Sequence, residues 1–216
     1  MYPGKYAEQN PDRSAFVMAA TGERVSYQEF EARSNRVARY LADKGLGFQD
    51  HYSIFMENNN RYLESCAAGE RSGLYFTCIN SFLTSDELAY IINNSESQIL
   101  ITSMSKLEAA QEALAQCTAI KEVLVVGAGD ADLPEGMSDF ASTLSKYPET
   151  PLERELLGAA MLYSSGTTGR PKGIVRPLPE QSPDEPLPVI GFLSGLWRYR
   201  EDMIYLSPAP LYHSAP

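Results

Sequence analysis

The stretch YLESCAAGERSGLYFTCINSFLTSDELAYIINNSESQILIT, residues 62–102, switches between helical and extended apolar spacing several times in one short span. Arg61 to Ser72 reads as a helix burying Leu63, Cys66 and Ala67, and Gly73 supplies its stop. LYFTCI follows as a strand. Thr84 and Glu87 then stand three residues apart, the spacing at which each side chain satisfies a free amide of a helical first turn. They precede the helical run LAYIINNS, and QILIT returns as a strand. Parallel neighbours need such helical crossovers, so the pattern predicts an α/β fold, a largely parallel sheet flanked by helices.

The flanks extend the alternation. Upstream, SAFVMAATGERVSY (14–27) reads as two strands around a Thr21-Gly22 turn. A second capping box, Ser26 with Glu29, opens a helix with Phe30, Val37, Ala38 and Leu41 on one face and Gly45 at its end. YSIFM (52–56) is a strand. Downstream, Ser105 and Glu108 predict a third capped helix, and EVLVV (122–126) a further strand. Residues 127–155 are polar and punctuated by Gly and Pro, and are expected as a surface excursion. AAMLYSS (159–165) is a strand that runs straight into the hydroxyl-rich segment 163–174. Residues 176–188 hold five prolines and are expected as a loop. A short helix from Phe192 to Arg200 and a strand MIYLS (203–207) complete the expectation.

YSSGTTGRPKGI, residues 163–174, gathers five hydroxyl side chains, three glycines, Arg170 and Lys172. No Asp or Glu occurs between Glu155 and Glu180, although the chain carries a net charge of −10. That charge argues against nucleic-acid binding, which depends on neutralising many phosphates. A local cationic, hydroxyl-rich loop still suits a small anion. The segment is not a P-loop: counted from Gly166, Pro171 stands where the second glycine belongs and Gly173 where the metal-binding hydroxyl belongs. Composition by itself fits a flexible linker. Cys66, Cys78 and Cys117 are widely spaced, which predicts reduced thiols and no zinc site. No apolar run is long enough to span a bilayer or opens the chain as a signal peptide, and a cytoplasmic location is expected. His51 reads as an ordinary surface residue.

The order of residues in YSSGTTGRPKG closely resembles the phosphate-binding signature of adenylate-forming enzymes, the superfamily of acyl-CoA synthetases, luciferases and peptide-synthetase adenylation domains. GERVSYQEFEARSNRVARYLADKGL, the quoted stretch 62–102 and the terminal PLYHSAP resemble further segments of the same superfamily, in the same order, and are most similar to its fatty-acid-type acyl-CoA synthetases. The resemblance implies the large N-terminal, AMP-binding domain of such an enzyme. It implies ATP-dependent activation of a carboxylic acid to an acyl-adenylate, then transfer to coenzyme A. Ser164, Ser165, Gly166, Thr167, Thr168, Gly169, Lys172 and Gly173 would hold the β- and γ-phosphates, and Tyr212 and His213 would border the acid pocket. The family's Mg2+ ligand, catalytic lysine and mobile C-terminal domain match nothing in these 216 residues, so the expectation is an incomplete N-terminal domain, inactive alone, with no catalytic or metal residue of its own. The alternative is a non-catalytic adenylation-like module binding a nucleotide or a partner. IVRPLPEQSPDEPLP departs from the family after Lys-Gly, and Arg176 is a candidate to compensate electrostatically.

Overall fold

Strand-forming and helix-forming segments alternate along the computed structural model, which describes residues 2–164, 170–185, 187–200 and 202–213. After helix α1 (Gly4–Gln9), strands β1 (Ser14–Val17) and β2 (Arg24–Ser26) pair antiparallel, and Gly22 takes φ +73° in their turn. Helix α2 (Tyr27–Asp43) opens on the predicted reciprocal cap. The Glu29 amide donates to Ser26 Oγ at 3.2 Å, and the Ser26 amide donates to the Glu29 carboxylate at 2.8 Å.

Six strands then build one parallel sheet: β3 (His51–Phe55), β4 (Tyr75–Cys78), β5 (Ile99–Ser103), β6 (Glu122–Val126), β7 (Met137–Asp139) and β8 (Ala159–Ala160). Their spatial order is β7-β6-β5-β3-β4-β8. The chain steps from β3 to β4 through α3 (Tyr62–Ser72). It then reverses direction, through α4 (Ser85–Asn94) to β5 and α5 (Leu107–Leu114) to β6. Crossovers of one hand place helices on opposite faces when the direction reverses. The cores agree. Tyr52, Ile54, Phe76, Ile99, Ile101 and Leu124 pack with residues of α2 and α3, whereas Phe55, Leu100, Val123 and Val125 pack with α4 and α5.

Two contacts anchor the late strand β8. Arg71 is fully buried, with Nη2 2.6 Å from Glu31, Nε 2.6 Å from Glu155 and Nη1 donating to Ser34 Oγ at 2.6 Å. It joins α2, α3 and the segment entering β8. Gly158 lies so near the α3–β4 turn that a Cβ there would sit 2.1 Å from the Gly69 carbonyl oxygen and 2.4 Å from that of Leu74. No side chain fits between those backbones.

Several expectations are corrected. Ser105 caps nothing: its hydroxyl donates to Glu57 at the end of β3, and a 3-10 turn (Met104–Lys106) leads into α5 without a side-chain cap. In α3, Leu63 is only half-buried, while Glu64 and Arg71 lie inside. Residues 127–155 contain, besides exposed loops, the edge strand β7 and helix α6 (Phe140–Leu144), whose Phe140 and Leu144 are buried. The strand expected over 159–165 divides, β8 joining the main sheet and β9 (Leu162–Tyr163) pairing with β10 (Gly173–Ile174). The last helix, α7, spans Pro188–Leu196 rather than 192–200, because Pro188 takes the first helical position, where a missing amide costs nothing. Residues 203–207 form no strand; Ile204 and Leu206 are exposed and have no ladder partner among the described residues. His51 is half-buried and stacks on Tyr75 at 4.7 Å, and burial lowers its pKa. Among the described residues, no helix is long and apolar enough to cross a membrane.

Candidate functional site

The signature segment is the connection of a β-hairpin that leaves the main sheet beyond β8. Because β8 runs parallel to β4, this hairpin projects from the carboxyl ends of the strands, where ligands of such sheets gather. Its base is closed by one residue pair. The Ser164 amide donates to the Lys172 carbonyl at 3.1 Å, and the Lys172 amide donates to Ser164 Oγ at 3.3 Å. Gly173 faces Tyr163, with Met161 Cε only 2.3 Å from where a Cβ would lie. Ser165, Gly166, Thr167, Thr168 and Gly169 lie outside the described residues.

Helix α4 holds the hairpin from one side. The Tyr90 hydroxyl donates to the Pro171 carbonyl at 3.0 Å, and its ring lies 5.0 Å beneath the Arg170 guanidinium. One turn on, Asn94 Oδ1 accepts from the Tyr163 hydroxyl at 2.8 Å; burial, with a smaller push from Tyr90, takes that phenol up to about 12. Tyr90 and Asn94 are an i,i+4 pair and therefore share a helix face. Their only trace in the sequence is a polar pair within the apolar run LAYIINN.

Lys172 is exposed, and no described carboxylate lies within ion-pairing distance of Arg170, Lys172 or Arg176. Arg176 is poorly placed to compensate at the loop. β10 runs back antiparallel to β9, and the Arg176 carbonyl is tied to the Tyr75 hydroxyl at 2.6 Å, at the start of β4. Four extended residues carry it ~13 Å from Lys172. Arg170 is the second cation at the hairpin.

The other predicted segment docks beyond β3. Asn58 Oδ1 accepts from the Leu211 amide at 2.8 Å, and Leu211 and Tyr212 pack on the core that holds Tyr62 and Cys78. The Tyr212 ring lies 4.9 Å from that of His213, which is exposed. Both predicted groups thus sit at the carboxyl ends of the adjacent strands β3 and β4–β8, and no hydrogen bond or ring contact joins them among the described residues. Arg33, Arg36, Arg61 and Glu64 border a cavity of about 270 Å³ that Phe140 and Leu144 also line. Burial pushes the Glu64 carboxyl up to about 7, against the pull of Arg61 at 3.3 Å. Among the described residues, no group of three His, Cys, Asp or Glu side chains is placed to hold a metal.

Residues 5–216 match the family described as AMP-binding enzyme. The chain belongs to that family. Curated relatives include the 3-oxocholest-4-en-26-oate–CoA ligase of Rhodococcus rhodochrous, 31% identical over 169 residues that cover 76% of this chain and 30% of the relative. The long-chain-fatty-acid–CoA ligase of Thermus thermophilus is 29% identical over 157 residues, 72% of this chain and 28% of that protein. This AMP-binding chain therefore spans less than a third of the length of these relatives. Its fold matches a Rhodopseudomonas palustris crystal structure described as a long-chain-fatty-acid CoA ligase, with a TM-score of 0.80 at 23% identity over 98% of this chain and 51% of the other.

Proposed function

We propose that the protein to which this chain contributes activates a carboxylic acid with ATP, releasing pyrophosphate and forming an acyl-adenylate, and then passes the acyl group to the thiol of coenzyme A. The observation that carries the reading is the signature hairpin, presented at the carboxyl ends of the strands with Lys172 exposed and unopposed by any described carboxylate. Relatives named as ligases of sterol-derived, fatty and coumaric acids share the CoA-ligase description and differ in the acid.

In this reading the hairpin acts on the leaving group. Ser164, through its amide and its hydroxyl oxygen, and Lys172, through its backbone alone, fix the loop's mouth, which leaves the lysine ammonium free to face the β- and γ-phosphates. At about 4 Å from one phosphate charge it contributes roughly 4 kcal/mol before desolvation. The loop residues 165–169 add amide and hydroxyl donors, and in-line displacement at phosphorus needs little beyond such positioning and charge stabilisation. Tyr212 and His213 border the entry of the acid.

The test is pyrophosphate release by the full-length protein across a panel of aliphatic and aromatic acids, with and without coenzyme A. One or more acids should give acid-dependent release, and Lys172→Ala should lower kcat/KM about a hundredfold. Nucleotide binding without acid-dependent release from any acid would favour the non-catalytic alternative. The 216-residue chain alone is expected to give no ATP–pyrophosphate exchange.

A further inference from the structure

We infer that Cys66 and Cys78 form a dithiol that a peroxide converts to a disulfide, with Cys78 the site of first attack. Cys66 lies on the sheet-facing side of α3 and Cys78 ends β4, and their Sγ atoms stand 3.7 Å apart. A disulfide needs about 2.05 Å, so closure asks each sulfur to move by less than ~1 Å. Of the two residues Cys78 is the less enclosed and Cys66 is buried, which makes Cys78 the better placed to meet the peroxide and Cys66 the resolving thiol. The contact also divides their acidities. The contact with Cys78, then burial, pushes the Cys66 thiol up, whereas the contact with Cys66, against burial and helped by Tyr62, lowers that of Cys78. The thiolate is the reactive form.

The chemistry balances in two steps. The Cys78 thiolate attacks one peroxide oxygen, the O–O bond breaks, and Cys78 becomes a sulfenic acid as hydroxide leaves. Cys66 then attacks that sulfur, the S–O bond breaks, and the departing hydroxide takes the Cys66 proton as water. The peroxide is reduced by two electrons and the two thiols are oxidised by two. Cys117 is an internal control: its Sγ donates to the Ala113 carbonyl at 3.3 Å and it has no neighbouring thiol among the described residues. Tyr62 packs against the same pair and interacts with Tyr212, so closure of the disulfide acts one side chain away from the docked segment 209–213. This inference rests on the sulfur geometry and is independent of the proposed adenylation.

The full-length protein is treated with hydrogen peroxide, alkylated and digested without reductant. The expected result is loss of alkylation at Cys66 and Cys78 together, a cross-linked 66–78 peptide lighter by two hydrogens, reversal by a dithiol reductant, and Cys117 still alkylated. In Cys66→Ser the trapped sulfenic acid should appear as a dimedone adduct on Cys78. Full alkylation of both cysteines, at a peroxide dose that oxidises N-acetylcysteine completely, overturns the inference. So does a product that stops at over-oxidised Cys78 with Cys66 still alkylated. Peptide mapping of the parent protein decides the matter even where the variant fails to fold.

Discussion

Glu64 keeps a carboxyl group inside the protein, with Arg61 at 3.3 Å as its ion-pair partner. Its pKa rises from an ordinary 4.5 to about 7 on folding, so between those values the folded chain holds a proton that the unfolded chain has released. The stability drawn from this residue is complete below pH 4.5 and declines as pH climbs to 7. Glu64→Gln has no proton to lose, and its stability relative to the parent should grow between pH 5 and pH 7.5, by up to about 3 kcal/mol. Urea denaturation at the two pH values checks this, and a difference that does not change with pH would sink it. Arg71 is the opposite case. Burial works against its charge, but Glu31 and Glu155 more than offset that cost. Arg71→Met leaves the two partly buried carboxylates Glu31 and Glu155 without their shared cation, and unfolding free energy should fall by about 3–5 kcal/mol. Adding Glu31→Gln and Glu155→Gln should recover much of that loss. Neither buried group is visible in the sequence, because a charged residue on an amphipathic helix reads as solvated; Arg71 in particular pairs with carboxylates 40 and 84 residues away.

Secondary structure elements follow local chemistry where local chemistry is all that acts. The Ser26–Glu29 and Thr84–Glu87 caps form as their spacing predicts, because both partners lie in one turn. Ser105 has the same spacing to Glu108, yet Glu57, two residues beyond β3, captures its hydroxyl. The phosphate signature is legible from residue order alone, whereas its supports, Tyr90 and Asn94 on α4, lie 81 and 69 residues away in sequence from their hairpin partners. Gly158 makes a testable element-scale prediction. A methyl group there collides with two backbone carbonyls, so Gly158→Ala should destabilise the chain by at least about 2 kcal/mol in thermal or urea unfolding. It should also raise the amide exchange of Met161, whose amide donates to the Phe76 carbonyl at 3.0 Å as the chain leaves β8.

Protection across the whole molecule is expected to be uneven. The strands β3, β5 and β6 are buried on both faces, whereas α7 buries none of its residues and exposes Val189, Ile190, Phe192 and Leu196. In hydrogen exchange on the 216-residue chain, amides of α7 should exchange close to the rate of an open peptide, while those of β3 and β5 open only with global unfolding. Protection of α7 equal to that of β5 would refute this. The order of strands carries a further, kinetic consequence. β3, β4, β5 and β6 each find a sheet neighbour within a few dozen residues, but β8 pairs with β4 across a gap of 84 residues, Tyr75 against Ala159. Closing so long a loop is entropically slow to be repaid, and contacts of that span form after the local ones. The strand that delivers the hairpin is thus the late arrival in folding, and weakening it should quicken unfolding while leaving the refolding rate near that of the parent.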